Sequence, residues 1–280
     1  MISFFFKKNF YDGWDNVISL FIPNFIFDAV LLLGGTLFFI GTKLGEVAGL
    51  SLWLAAFFLI TVLCSILILA WAESAKELAN YEISGFKEFF AHIKTSIFDG
   101  IKYGATLFLL SILTLCGVVY YFRLAPFQEK QQLPFIGLLT GCIFCWIALS
   151  IFSALFWYPH IRATYHNTFF KSVRKCFVLM LDNLGKNIVM MIYNIFLLLI
   201  SVVMLGIAPG MAGLGLARAN FLRLLLKKYD YLEELAKDKE KSAANPKRKI
   251  PWKEILKEDI EITGTRTFKS FFMPWKHDTP

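Results

Sequence analysis

Few residues in this sequence are arranged as a catalytic site would require. The closest arrangement is Cys142-x-x-Cys145, which has the spacing of thiol–disulfide oxidoreductases. A membrane enzyme of that class needs a second cysteine pair to pass electrons on, and Cys64, Cys116 and Cys176 form no second pair at this spacing. We therefore interpret Cys142 and Cys145 as residues of apolar packing.

The histidines also lack the neighbours that a metal site needs. His160 and His166 flank a polar turn that contains Arg162, but no carboxylate accompanies them at ligand spacing. The sequence contains no phosphate-binding glycine loop, no dinucleotide-binding glycine pattern, and no zinc-protease or serine-hydrolase motif. We predict no catalytic residue, no metal and no cofactor, and so a protein that is not an enzyme.

Three polar residues inside apolar runs are candidates of another kind. Asn24 and Asp28 lie in the first run, and Arg218 lies in the last. A charged side chain within a membrane-spanning helix costs about 2.5 to 3.5 kcal/mol on insertion scales, which makes it a functional candidate. Three interpretations of Arg218 stay open. It pairs with Asp28, it extends to the membrane surface, or it contacts an anionic ligand.

The composition indicates a membrane protein. Hydrophobic residues make up 57% of the chain, 30 of its 280 residues are Phe, and the mean hydropathy is +0.57. The first two apolar runs exceed the roughly 20 residues that a helix needs to cross about 30 Å of hydrocarbon. We predict an all-α, polytopic transmembrane helix bundle in residues 1–229, followed by a charged cytoplasmic tail in residues 230–280. The predicted spans are residues 17–40, 48–71, 103–121, 135–157, 188–207 and 210–226.

The distribution of Lys and Arg along the chain predicts the number of membrane crossings. The net charge is +8, and most Lys and Arg residues lie between the apolar runs. Cytoplasmic segments are enriched in Lys and Arg, so this distribution reports membrane orientation and not a nucleic-acid partner. Six crossings keep both termini and the basic tail in the cytoplasm. Pro209 and Gly210 then make the tight turn of a hairpin, and a re-entrant sixth segment is the competing interpretation.

Two segments between the spans have the spacing of amphipathic helices, with an aromatic face and basic residues. They are residues 84–101 and 168–184, and we expect both to lie along the cytoplasmic surface. The tail also regains aromatic residues near its end, unlike a wholly disordered segment. The partner-docking candidates are Phe86, Phe90, Lys94, Phe169, Phe170, Arg174, Trp252 and Trp275.

Two stretches carry a resemblance to a known family. Residues 5–33, FFKKNFYDGWDNVISLFIPNFIFDAVLLL, and residues 158–192, YPHIRATYHNTFFKSVRKCFVLMLDNLGKNIVMMI, resemble the YesL-like family of bacterial multi-pass membrane proteins. The resemblance covers about residues 1–229 and implies the bacterial cytoplasmic (inner) membrane. Some members of that family are encoded beside carbohydrate uptake systems. The family supplies no catalytic or ligand residue that could be transferred to this chain.

Two functions follow as expectations. The first is an accessory or permease-like component of a transport system whose cytoplasmic helices dock a protein partner. The family resemblance implies that this system transports carbohydrates. The alternative is a membrane scaffold or assembly factor that binds partners through the same helices and the tail. Both place the protein in the lipid bilayer with its partner on the cytoplasmic face.

Overall fold

A computed structural model describes residues 1–124, 134–237 and 250–264; of residues 123, 124 and 134–136 it describes the backbone. These residues form helices and contain no strand, which confirms the predicted all-α class for the described chain. The helices are α1 (Ile2–Asp15), α2 (Val17–Gly41), α3 (Glu46–Ala79), α4 (Phe86–Val119), a π-helical turn (Tyr120–Leu124), α5 (Pro134–Leu155), α6 (Tyr158–Tyr165), α7 (Phe169–Asp182), α8 (Leu184–Val203), α9 (Gly210–Lys237), α10 (Trp252–Ile255) and α11 (Lys257–Thr263).

Five helical segments of the described chain are long and apolar enough to cross a membrane. Each contains most or all of one of the first five predicted spans. The sixth predicted span lies at the start of α9, which is not among the five, so a sixth crossing stays a prediction. The five segments are Val17–Gly41, Glu46–Ala79, Phe86–Phe122, Gly137–Tyr165 and Leu184–Val203.

Helix α4 corrects one prediction about the first cytoplasmic segment. Residues 84–101 do not form a separate surface helix, because α4 runs without a break from Phe86 into the apolar run. Gly100 and Gly104 lie where α4 packs against α3. A Cβ atom added to either would lie 2.7 Å from the Cα atom of Ile66 or Val62, so these glycines let α4 pack closely along α3. The two helices form a long antiparallel hairpin.

A buried core lies where α3 continues past its apolar run. Small residues of α3, such as Ala75 and Ala79, share this core with residues of α9. Trp71 anchors this contact, since its indole Nε1 donates a hydrogen bond to the Ala212 carbonyl at 2.7 Å. The core consists of Leu20, Phe27, Leu67, Ala70, Trp71, Ala75, Leu78, Ala79, Phe89, Ala212, Leu216 and Ala219.

Helix α8 presents its apolar side outward. Its buried residues include Asn187, Asn194 and Ser201, whereas its exposed side carries large apolar side chains such as Ile192 and Leu199. A helix in water shows the reverse arrangement. This outward apolar surface fits contact with lipid, and it agrees with the composition of the chain.

The described chain divides into two compact units, one of which is Asn16–Ala219. The other consists of Met1–Asp15 and the described residues from Asn220 onward. Within this second unit, Phe5 packs edge-on against Phe221 at 5.0 Å, and Lys8 forms a buried ion pair with Asp12 at 2.7 Å. Burial lowers the pKa of Lys8 and raises that of Asp12, and each charge opposes the shift of the other.

Asp259 attaches the end of the tail to this second unit. The carboxylate is 1% exposed and lies 2.9 Å from Arg223 Nη2 and 2.6 Å from Lys227 Nζ of α9. Lys7 of α1 donates a hydrogen bond to the carbonyl of Gly264 at 3.0 Å. The segment 250–264 therefore docks on its own chain.

We predict that Asp259→Asn releases this segment. A neutral amide leaves Arg223 and Lys227 without their counter-charge, and a hydrogen bond to a charged group contributes about 1.5 to 3 kcal/mol. Amide hydrogen exchange across α11 should become at least roughly tenfold faster. Glu258→Gln is the matched control, because Glu258 is exposed and should leave the exchange unchanged. Equal protection in both variants would contradict the anchoring role.

Candidate functional site

A charged cavity of about 440 Å³ lies between the C-terminal end of α3, the N-terminal part of α4, and α6. We call it the charged cavity throughout. The helix ends position its polar side chains, because each helix contributes residues three, four or seven apart that share one face. The lining residues with polar side chains are Glu73, Lys76, Glu77, His92, Thr95, Ser96, Asp99, Arg162 and His166.

Most charged groups of the cavity are paired across helices. Arg162 of α6 donates to the Asp99 carboxylate of α4, with its Nε at 2.8 Å and its Nη2 at 2.6 Å from Oδ2. His92 Nε2 lies 3.1 Å from Glu77 Oε1. These pairs join α4 to both α3 and α6, so they hold the three helix ends together.

A second set of contacts continues this network towards the end of α6. Arg162 Nη1 lies 2.9 Å from His166 Nδ1, and Glu73 Oε1 is 3.6 Å from the same nitrogen. Lys76 Nζ donates to the carbonyl of Ala163 at 2.9 Å. The cavity thus places three carboxylates beside two permanent cations.

One acceptor in the cavity is left over. Glu77 Oε2 is buried and finds no hydrogen-bond donor among the described residues. An unsatisfied buried acceptor is costly, so the cavity favours a ligand group that donates hydrogen bonds, such as a hydroxyl or an ammonium. No cluster of three or more metal-ligating side chains occurs in the part of the chain that the structure describes.

The sequence analysis did not identify the charged cavity. The sequence does contain pairs of polar residues that share one helix face. Glu73 and Glu77 are four residues apart, as are Arg162 and His166. Each pair alone also fits a solvated helix face. Only the packing of the three helices shows that the pairs converge.

Asn24 connects α2 to the turn before α9. Its Nδ2 donates to the carbonyls of Ile207 and Pro209, both at 2.9 Å, and its Oδ1 accepts from the Ala212 amide at 2.7 Å. The last contact satisfies one of the free amides at the helix start. Gly210 has φ +61°, and a Cβ atom there would collide with the Asn24 amide. Asn24 is therefore a structural residue.

Asp28 and Arg218 form no ion pair with each other among the described residues. Asp28 lies beside Gly206, whose φ of +80° turns the chain towards it, and it borders an apolar recess on α2. Arg218 lies two turns into α9, where its guanidinium stacks on the Phe156 ring at 3.4 Å. Asp28 therefore lies beside the turn that precedes α9, whereas Arg218 lies further along α9 and contacts Phe156.

The docking candidates are mostly exposed. Phe86, Phe90 and Phe170 are 42%, 49% and 83% exposed, and Lys94 and Arg174 are exposed as well. Phe169 is half-buried, with its ring 5.2 Å from that of Tyr158. Trp252 is half-buried in the docked tail segment, and Trp275 lies outside the described residues.

The residues considered for chemistry occupy ordinary positions. Cys142 and Cys145 are free thiols on α5. His160 is buried, and its Nε2 lies 2.8 Å from the Gly215 carbonyl, where it joins α6 to α9. Burial raises the pKa of the Cys176 thiol to about 12, which suppresses thiolate chemistry.

No known protein-family model, curated protein or solved structure matches this chain. The resemblance to the YesL-like family therefore stays a prediction.

We predict that Asn24→Ala destabilises the compact unit Asn16–Ala219. The substitution removes the donor to the Ile207 carbonyl and the acceptor for the Ala212 amide, at about 1 to 3 kcal/mol for each buried group. The Pro209 carbonyl keeps the Gly213 amide as a donor at 2.8 Å. The melting temperature in detergent should fall by several degrees. Thr36→Ala is the control, because Thr36 lies on the same helix, is exposed, and bonds only to Leu32 and Leu33 of its own helix. An unchanged melting temperature for Asn24→Ala would argue against the connecting role.

Proposed function

We propose that this protein is a non-enzymatic component of a bacterial transport system, accessory or permease-like, that docks a protein partner on the cytoplasmic face. The observation that carries the proposal is an exposed apolar patch at the tip of the α3–α4 hairpin. The patch consists of Ile83, Phe86 and Phe90, which we call the tip patch. Ile83 is 97% exposed.

The tip patch lies too far along the hairpin to be explained by lipid. The residues from Phe86 to Gly100 extend about 21 Å at the rise of an α-helix. Glu73, Glu77 and Asp99 line the same part of the hairpin, and charged groups avoid the hydrocarbon region. Large apolar side chains exposed beyond this level mark a site of protein contact.

Polar groups next to the tip patch would supply the rim of such an interface. Lys87 and Glu88 are exposed beside Phe86 and Phe90 on α4. The charged cavity lies further along the same hairpin and keeps Glu77 Oε2 as an unused acceptor. A partner that inserts a hydroxyl or a basic side chain there would satisfy this group. Interfaces typically combine an apolar centre with a polar rim of this kind.

The tail favours a transport component over a scaffold. A scaffold that binds through the tail needs its helices accessible, yet α11 is held on its own chain by Asp259. The resemblance to the YesL-like family supports a role in carbohydrate uptake. The distribution of Lys and Arg supports the cytoplasmic membrane, with both termini in the cytoplasm.

We predict that Phe90→Ser weakens partner binding. Loss of an aromatic side chain from the centre of an interface weakens binding by about 2 kcal/mol or more, which is roughly thirtyfold. A photo-crosslinking amino acid at position 86 should recover a transport subunit, and uptake of the transported solute should fall in Phe90→Ser cells. Phe98→Ser is the control, because Phe98 is exposed on the same helix outside the tip patch. Crosslinking to lipid alone, with unchanged uptake, would refute the proposal.

We also propose that α8 and α9 form a hairpin that turns within the membrane, so that neither the fifth nor the sixth predicted span crosses it completely. Asn24 and Asp28, which contact this turn, lie about 10 and 16 Å from the start of α2. The opposite end of α2, at Gly41, lies beside Trp53 and about 20 Å further along. The turn is therefore well short of the outer end of the bundle. Such a hairpin returns the chain to the side of the membrane from which it entered, so both termini stay on the same side of the membrane.

We predict that a cysteine at position 208 is shielded from outside the cell. In a cysteine-free background, Ala208→Cys should resist a membrane-impermeant maleimide applied to intact cells. Lys43→Cys, in the exposed turn between α2 and α3, should react and serves as the control. Full crossings by α8 and α9 would instead make both positions react, since their turn would then face outward.

A further inference from the structure

A second cavity, of about 380 Å³, lies between α5, α8 and α9. We call it the apolar cavity. Its walls include Leu149, Phe152, Ile195 and Leu198. Leu149, Ile195 and Leu198 are exposed, and they belong to the outward apolar surface of α5 and α8. The cavity thus opens on the surface that fits contact with lipid.

Arg218 lies in the wall of the apolar cavity without a counter-charge. Its guanidinium stacks on Phe156, but it forms no ion pair among the described residues. Its Nε is buried and finds no hydrogen-bond acceptor there. An unpaired cation next to hydrocarbon is costly, so its presence favours an anion in the cavity.

Asn194 adds a second polar group to the same cavity. Its Nδ2 donates to the Met190 carbonyl within α8 at 2.7 Å, and its Oδ1 is buried with no donor in the part of the chain that the structure describes. The wall therefore offers a guanidinium and an amide oxygen within otherwise apolar surroundings. Small-molecule sites are built in this way, with few polar groups that orient a mostly apolar ligand.

We propose that the apolar cavity binds a long-chain fatty acid, with the carboxylate on Arg218 and the chain against Leu149, Phe152 and Leu198. A carboxylate matches a single guanidinium in both charge and shape, because the two can form parallel hydrogen bonds. The cavity is at the small end of ligand sites, which suits one acyl chain. This inference is independent of the tip patch and of the partner proposed above.

Binding of a fluorescent polyunsaturated fatty acid, cis-parinaric acid, to the delipidated full-length protein in maltoside detergent tests the proposal. Wild-type protein should bind it, and Arg218→Gln should bind at least tenfold more weakly. Arg174→Gln is the matched control, because Arg174 is exposed on α7, outside the cavity, and should bind within twofold of wild type. The methyl ester of the same acid should compete at least tenfold more weakly than the acid against wild type.

A second variant separates loss of binding from loss of folding. Leu198→Trp fills the exposed side of the cavity and keeps Arg218, so it should lose at least tenfold in affinity while retaining the wild-type melting temperature. Equal binding of acid and methyl ester, or unchanged binding by both Arg218→Gln and Leu198→Trp, would overturn the proposal. Native mass spectrometry that finds a two-chain anionic phospholipid, which fatty acid does not displace, would overturn it as well.

Discussion

The three hydrogen bonds of Asn24 determine where α9 begins. This side chain binds the carbonyls of Ile207 and Pro209 and the amide of Ala212. It thereby connects α2 to the turn between α8 and α9. Polar groups buried among apolar helices must be satisfied locally, so few alternative registers are compatible with this contact. From that starting point, the helical rise carries Ala212 to Trp71, Gly215 to His160 and Arg218 to Phe156. The start of α9 thus sets the positions of Met211, Leu214 and Arg218, which line the apolar cavity.

Small residues set the second constraint. Gly100 and Gly104 bring α4 against α3, and Ala75 and Ala79 take part in the core with α9. Without a hydrophobic drive between helices in lipid, close backbone approach is what makes such packing stable. This packing explains why α4 continues past the end of the apolar run, because its N-terminal half has a partner along α3. The charged cavity forms at the same level, where the side chains of three helix ends meet.

The fold class and the five helical segments long and apolar enough to cross a membrane could be predicted because hydropathy is a local property of the sequence. The separate surface helix expected over residues 84–101 was wrong, since amphipathic spacing in 86–101 does not reveal that α3 extends beside it. Asn24 and Arg218 were identified from their cost in an apolar run, but their partners depend on the α8–α9 turn. The charged cavity escaped prediction because its pairs, such as Arg162 with Asp99, join residues that are distant in sequence.

The two cavities differ in how their charges are balanced, and this difference implies different ligands. In the charged cavity Arg162 and His92 each have a carboxylate, and Glu77 Oε2 has no donor among the described residues. Such a site favours a ligand with a hydrogen-bond donor, a hydroxyl or an ammonium, over an anion. In the apolar cavity the one cation, Arg218, has an aromatic ring for a neighbour and no carboxylate within the described chain. Aromatic stacking offsets part of the cost of burying a guanidinium, but only an anion neutralises it.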